Sequence, residues 1–173
     1  MRELLRQQTW IAAMRITIAA IGRLKAGPET DLAKRYAKRF DGSGRALGLG
    51  PIHVQELPES RDGNDAVRKQ DEATRLLAKV GSDATLLALD EHGRNRDSST
   101  FADWLAKYRD DGTAEVAFLI GGPDGHGEAV LSAARETISL SAMTLPHGLA
   151  RVVLLEQLYR AATILSGHPY HRA

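Results

Sequence analysis

The chain has no cysteine. That excludes a disulfide framework, a thiolate nucleophile and any zinc or iron–sulfur site built on sulfur, and it suits a protein of a reducing cytoplasm. Neither sign of charge is in excess. The 23 Lys and Arg nearly cancel the 22 Asp and Glu, leaving a formal net charge of +1, so any nucleic-acid binding has to come from local patches rather than bulk attraction. A long apolar run is missing from the amino terminus, where Arg15 interrupts MRELLRQQTWIAAMRITIAAIG; neither a signal peptide nor a membrane span is expected. The glycine-rich run Gly121 to Gly127, GGPDGHG, lacks the lysine and serine of a P-loop and the spacing of a dinucleotide fingerprint, which disfavours nucleoside triphosphates and dinucleotides. No GxSxG elbow occurs, and Ser139 and Ser141 have no identifiable base and orienter. Six histidines are present, yet His168 and His171 have neither cysteine nor acid beside them, so no metal site is expected.

What remains is ordinary globular composition, 43% hydrophobic and 26% charged over 173 residues, enough for one domain that buries roughly two thirds of its unfolded surface. Residues 14–173 are expected to form that single domain. Residues 1–13 are expected to lie outside it, as an extension or upstream of the natural start codon; the competing reading is a terminal helical turn packed on the body. Strand and helix patterns then alternate: a strand from Met14 to Ile21, a helix from Thr30 to Phe40, a strand from Ile52 to Leu57, and a helix from Asp65 to Val80 with Val67 inward. Next come a buried strand from Ala84 to Leu89, a basic loop EHGRNRD, a helix capped by Ser98 and Ser99, and a buried strand from Glu115 to Ile120. A helix near Glu128 to Arg135 and a short strand near Thr137 to Leu140 lead to the last helix.

This alternation predicts an α/β fold, a mostly parallel sheet flanked by helices, with ligands bound outside the carboxyl ends of the strands. Three segments share that edge: Leu89 with Asp90, Gly121 with Gly122, and Ser141 to Pro146. Pro123-Asp124-Gly125 is a turn, and the paired glycines before it either serve that turn alone or let a flat ligand approach the backbone.

The carboxyl-terminal segment is the most telling. Thr144 as a capping hydroxyl and Pro146 in the first turn open a helix that Gly167 and Pro169 close, so it is expected over about 146–166. Its apolar residues, from Leu149 through Leu155, Leu158 and Tyr159 to Ile164 and Leu165, point nearly all around the wheel. The sheet covers one side of such a helix; a second copy of the same helix, in a homodimer, covers the other. A central core helix of a monomer is the competing reading. Glu156 and Arg160 sit four apart, as a helix-stabilising pair or as an anchor for the tail. The tail HPYHR brings imidazoles, a phenol and a guanidinium together, an RNA-compatible set if it is not simply a solvated end.

Leu119 to Gly125 (LIGGPDG), Ile138 to His147 (ISLSAMTLPH), Glu156 to Ala161 (EQLYRA) and His168 to Arg172 (HPYHR) closely resemble the RlmH family of bacterial ribosomal RNA methyltransferases, within the SPOUT superfamily. The resemblance spans about Met14 to Arg172 and leaves residues 1–13 without a counterpart. It implies a SPOUT-type α/β fold whose carboxyl-terminal part forms a trefoil knot, an exception to the rule of unthreaded chains. It further implies a cytoplasmic homodimer that uses S-adenosylmethionine to methylate N3 of a pseudouridine in 23S large-subunit ribosomal RNA on the assembled ribosome. Carried over position by position, cofactor contacts fall on Leu89, Gly122, Ser141, Ala142, Met143, Thr144, Leu145 and Pro146. Gly148 departs from the family pattern, which bears on the geometry at the start of the last helix.

N3 of a pseudouridine carries a proton and becomes nucleophilic only once that proton leaves, with the negative charge spreading onto the flanking carbonyls. His171 or Glu156 is the candidate base, Arg172 the candidate anion stabiliser and Tyr170 the candidate stacking or positioning group. Arg61, Arg68, Lys69, Arg94 and Arg96 are candidates for phosphate contacts. Two other readings carry different chemistry: a ribosome-associated assembly factor without catalysis, and an α/β enzyme acting on a small nucleotide-like metabolite.

Overall fold

The structure is a computed structural model that describes residues 12–172; the expectation for residues 1–13 therefore falls almost wholly outside the described part. Five strands alternate with five helices: β1 Met14–Ile21, α1 Pro28–Gly44, β2 Leu49–Leu57, α2 Asp65–Leu77, β3 Thr85–Asn95, α3 Ser98–Asp110, β4 Glu115–Ile120, α4 Glu128–Ala133, β5 Glu136–Ser139 and α5 His147–Ser166. All pairings are parallel, in the order β2-β1-β4-β3-β5. The expected α/β sheet is thus present. β1 and β4 lie centrally, and every residue of Glu115–Ile120 is buried, which is why that strand reads as a continuous apolar run.

Alternation of side chains across the sheet divides the core in two. Ile16, Ile18, Val116 and Phe118 face α1, α3 and α5, while Ala19, Ile21, Ala88 and Leu119 face α2 and α4. α5 lies between α1 and α3 on its face. Its apolar residues point all round because two helices and the sheet of the same chain cover it. The expectation that a second copy is required to do so loses that support. Leu149, Val153, Glu156, Gln157, Arg160 and Ile164 remain only partly covered.

Several boundaries differ from expectation for local reasons. The first five residues of EHGRNRD continue β3 instead of forming a loop: Leu89 and Arg94 both pair with Ile138, so the strand bulges and then resumes against β5. Asp97, not Ser98 or Ser99, caps α3, accepting the Thr100 N–H at 2.7 Å; that hydrogen bond holds its carboxyl below the usual range. The Ser98 hydroxyl instead donates to Gln157 Oε1 at 2.7 Å, joining α3 to α5. Thr144 does not cap α5, which starts after Pro146; its hydroxyl donates to Glu91 Oε2 at 2.8 Å. α2 stops at Leu77, and Val67 is exposed. Arg151 in α5 is fully buried and bonds the Glu56 carboxylate and the Gly22 carbonyl, tying the helix to the ends of β1 and β2.

Candidate active site

The carboxyl ends of β3, β4 and β5 open into one cavity of about 640 Å³. Three segments build it: Leu89 to His92 within β3, Ile120 to His126, and Ile138 to His147 less Ala142, with Ala150 from α5 closing one side. Seven of the eight residues to which the resemblance assigns cofactor contacts therefore line it: Leu89, Gly122, Ser141, Met143, Thr144, Leu145 and Pro146. Ala142 is exposed and does not.

Each loop is fixed by its own bonds. Ser139 Oγ donates to the Ser141 carbonyl at 2.8 Å, and Ser141 Oγ accepts the Met143 N–H at 2.9 Å. In the glycine-rich loop Gly125 N–H donates to the Gly122 carbonyl at 2.9 Å. The closeness that demands glycine here is internal: a Cβ on Gly121 would sit 3.0 Å from the Gly125 backbone, and one on Gly122 would sit 2.6 Å from Glu72 Oε2. α2 clamps the same loop from outside through Arg68, whose fork bonds both Asp124 oxygens at 2.6 and 3.0 Å. That bond holds the Asp124 carboxyl below its ordinary value. Arg68 is thereby removed as a phosphate contact. Arg96 is removed likewise, since it bonds Glu136 and stacks over Trp104 at 4.4 Å.

Composition read residue by residue did not single out His126. It is 8% exposed, lines the cavity, and its Nε2 lies 3.0 Å from the Leu89 carbonyl, so the ring must donate there and tie the glycine-rich loop to β3 at its bulge. Burial holds its pKa below the usual imidazole value despite the carbonyls and the Asp90 charge nearby. Its only sequence signal is a histidine inside a glycine turn, which predicts nothing by itself. Charge is the other property missed. Asp90, Glu91 and Asp124 line the cavity and, among the described residues, no Lys or Arg does, an arrangement that suits a cationic ligand and opposes a phosphate. The run Asp90-Glu91 after an apolar strand was the available signal.

The other predicted residues gather elsewhere. Glu156 accepts from Gln157 Nε2 at 2.7 Å, Arg160 Nε at 3.0 Å, Arg160 Nη2 at 2.5 Å and the Tyr170 hydroxyl at 3.0 Å. Tyr170 lies on Tyr159, ring centroids 4.8 Å apart, with Arg160 4.8 Å from its ring. Burial, then hydrogen bonding with Tyr36 and to the Glu156 carboxylate, pushes the Tyr170 phenol well above its ordinary pKa. Arg160 Nη1 also meets His171 Nδ1 at 3.3 Å, whereas Arg172 is exposed. The tail thus folds back onto α5 as the Glu156–Arg160 anchor suggested. It does not reach the cavity: none of Glu156, Tyr170, His171 and Arg172 lines it, and Glu156 lies six residues beyond Ala150, the last residue of α5 that does, about 9 Å along the helix.

A family described as predicted SPOUT methyltransferase matches residues 14–171. The chain belongs to the SPOUT methyltransferase family. Among its relatives, the Ribosomal RNA large subunit methyltransferase H of Bradyrhizobium sp. (strain ORS 278) is 49% identical over 160 residues, covering 92% of this chain and 99% of that protein. The protein of the same name from Nitrobacter hamburgensis (strain DSM 10229 / NCIMB 13809 / X14) is 50% identical over 159 residues, with 92% and 99% covered. A probable methyltransferase from Bordetella pertussis Tohama I aligns with a TM-score of 0.46 and 15% identity over 88% of this chain and 95% of that one. The SPOUT assignment agrees with the resemblance read from the carboxyl-terminal motifs. Among the described residues no helix is long and apolar enough to cross a membrane.

Proposed function

We propose that this SPOUT protein methylates N3 of a pseudouridine in large-subunit ribosomal RNA, on the assembled ribosome in the cytoplasm, with S-adenosylmethionine as donor. The observation that carries the reading is a cavity lined by carboxylates and, among the described residues, by no Lys or Arg, in a chain about half identical to proteins named Ribosomal RNA large subunit methyltransferase H. The donor is a sulfonium bearing an ammonium and an electrophilic methyl group, so its charge matches Asp90 and Glu91, and the 640 Å³ volume is ordinary for a small-molecule site. Backbone groups of Leu89, Gly122 and the loop from Ser141 to Pro146 would hold it, and the short internal bonds of these segments would keep those groups in fixed positions around it. The non-catalytic reading and the small-metabolite reading have no observation in their favour.

The proton and the anion are handled by the tail. Glu156 already accepts four hydrogen bonds, so its part is to hold Tyr170 and Arg160 in place, leaving His171 to take the N3 proton. Arg172, exposed and forked, stabilises the charge on the flanking carbonyls, and Tyr170 positions the base. A proton transfer needs direct or water-bridged contact, and none of Glu156, Tyr170, His171 and Arg172 lines the cavity of its own chain. The active unit is therefore a homodimer in which one protomer's tail meets its partner's cavity, across the partly covered strip from Leu149 to Ile164. The knotted threading of the carboxyl-terminal segment belongs to the same proposal. Purified protein, labelled donor and a choice of ribosomes, isolated large subunits, free ribosomal RNA and nucleosides provide the test. Label entering ribosomal RNA only in assembled particles supports the reading; transfer to nucleosides alone, or donor binding without transfer to any of the four, overturns it.

A further inference from the structure

We propose that the exposed face of α1 carrying Lys34, Arg35, Lys38 and Arg39 docks the phosphate backbone of RNA. This rests on the methyltransferase reading and adds where the substrate is gripped, away from the acidic cavity. Charge pairing sets α1 apart. In α2, α3 and α5 every Lys and Arg except Lys69 meets a carboxylate: Arg68 with Asp124, Arg75 with Asp71, Lys107 with Asp111, Arg109 with Asp110, Arg151 with Glu56 and Arg160 with Glu156. Among the described residues, none of the four cations of α1 has such a partner. Acids are within reach along the helix, since Asp31 lies one turn before Arg35 and Asp41 three residues after Lys38. Asp41 instead accepts the Ile52 N–H at 2.9 Å, and Asp31 makes no ion pair among the described residues.

All four cations are exposed, and the spacings 34/38 and 35/39 place like charges one turn apart, which weakens a helix by a few tenths of a kcal/mol per pair. An anionic ligand relieves that repulsion. The face is also continuous with the tail. Arg39 lies 5.8 Å from the Tyr159 ring, Tyr36 stands 6.2 Å from Tyr159, and Tyr159 carries Tyr170 at 4.8 Å. Cations interleaved with aromatic rings suit a nucleic-acid strand, phosphates on the cations and bases on the rings. A lipid surface fits less well, because a membrane-binding helix needs large apolar side chains beside its cations, and the exposed large hydrophobic residues Val54, Val67, Leu131, Met143 and Leu149 all lie off α1.

The test compares the parent with K34E/K38E, K34Q/K38Q and the control K107E on α3, measuring KM for ribosomes and for S-adenosylmethionine, with ribosome binding read independently by co-sedimentation. The glutamate pair is expected to raise KM for ribosomes tenfold or more and the glutamine pair a few fold, while KM for the donor and the thermal midpoint stay at the parent values. Two lost phosphate contacts also make the log–log salt dependence of binding shallower by about 1.4 to 1.8. Unchanged ribosome binding in K34E/K38E, an equal loss in K107E, or equally tight binding of the parent to phosphatidylserine vesicles overturns the proposal. A parent that binds ribosomes through α1 yet transfers no methyl group would sink the methyltransferase reading and leave this surface standing.

Discussion

His126 holds two of the three cavity segments together with one hydrogen bond, from its ring to the Leu89 carbonyl. Since a carbonyl only accepts, the ring donates from Nε2, and burial favours its neutral form. Its folded-state pKa lies below the ordinary 6.5 because burial outweighs the Leu89 and Leu119 carbonyls and the Asp90 charge. The unfolded chain therefore takes up the proton first. The contribution to stability is complete above about pH 6.5 and is lost as the pH falls from there through the folded value. Urea midpoints measured at pH 7.5 and 5.5 should drop more for the parent than for His126→Asn, whose amide can still donate to Leu89; equal drops would clear His126 of the effect. Arg151 presents the converse case, a charge buried by design. Its guanidinium is 1% exposed and bonds Glu56, whose side chain is 32% exposed. Arg151→Ala is expected to lose about 3 kcal/mol, toward the low end for a broken buried pair because Glu56 reaches water. Arg151→Met with Glu56→Gln should regain much of that in chemical denaturation, whereas no recovery would mean that the Gly22 carbonyl contact is what matters.

Elements were legible in the sequence wherever the signal was one of pattern. The alternation of apolar strands and amphipathic helices placed all ten, and the rule that ligands sit at carboxyl strand ends brought Leu89, Gly122 and the Ser141 to Pro146 loop together before any geometry was known. What escaped was tertiary. β3 runs on through Glu91, His92, Gly93 and Arg94, charged residues that read as a loop, because β5 pairs with them on the far side of a bulge. α5 read as an interface helix because hydrophobic periodicity reports that a helix is covered and not by whom; α1 and α3 of its own chain account for much of it. The contact between tail and Glu156 was legible as an option only, since a pair four residues apart has the same sequence whether or not a third group joins it. At the bulge, one glycine allows the close passage of two strands: a Cβ on Gly93 would meet Ile138 backbone atoms at 2.5 and 2.7 Å, and backbone cannot rotate aside. Gly93→Ala is expected to destabilise by about 1–3 kcal/mol, the usual range for forced overpacking, and to weaken donor binding because Leu89 and Ile138 both line the cavity. Calorimetric titration together with thermal melting would show it; a variant with the parent midpoint would mean that β5 has room to shift.

For the whole molecule, the separation between acidic cavity and aromatic, basic tail makes the number of chains per active site measurable. Gly122→Ala is expected to impair the cavity, because a Cβ there would lie 2.6 Å from Oε2 of the buried Glu72 and 3.1 Å from Ile21 Cγ2, and it leaves the tail untouched. His171→Ala removes the proposed base and leaves the cavity untouched. If the tail acts on its own chain, no mixture of the two variants regains activity, because every chain carries one lesion. If it acts on the partner's cavity, a mixed dimer holds one site whose cavity and tail are both intact and one that is doubly impaired. Random reassortment of equal amounts makes half the dimers mixed, each with one good site of two, so activity should recover to about one quarter of the parent level. The measurement is methyl transfer to ribosomes after the two variants are mixed under conditions that exchange subunits. Each variant alone must be near background while still sedimenting as a dimer. Recovery near one quarter supports the composite site, and background activity in a sample shown to contain mixed dimers overturns it.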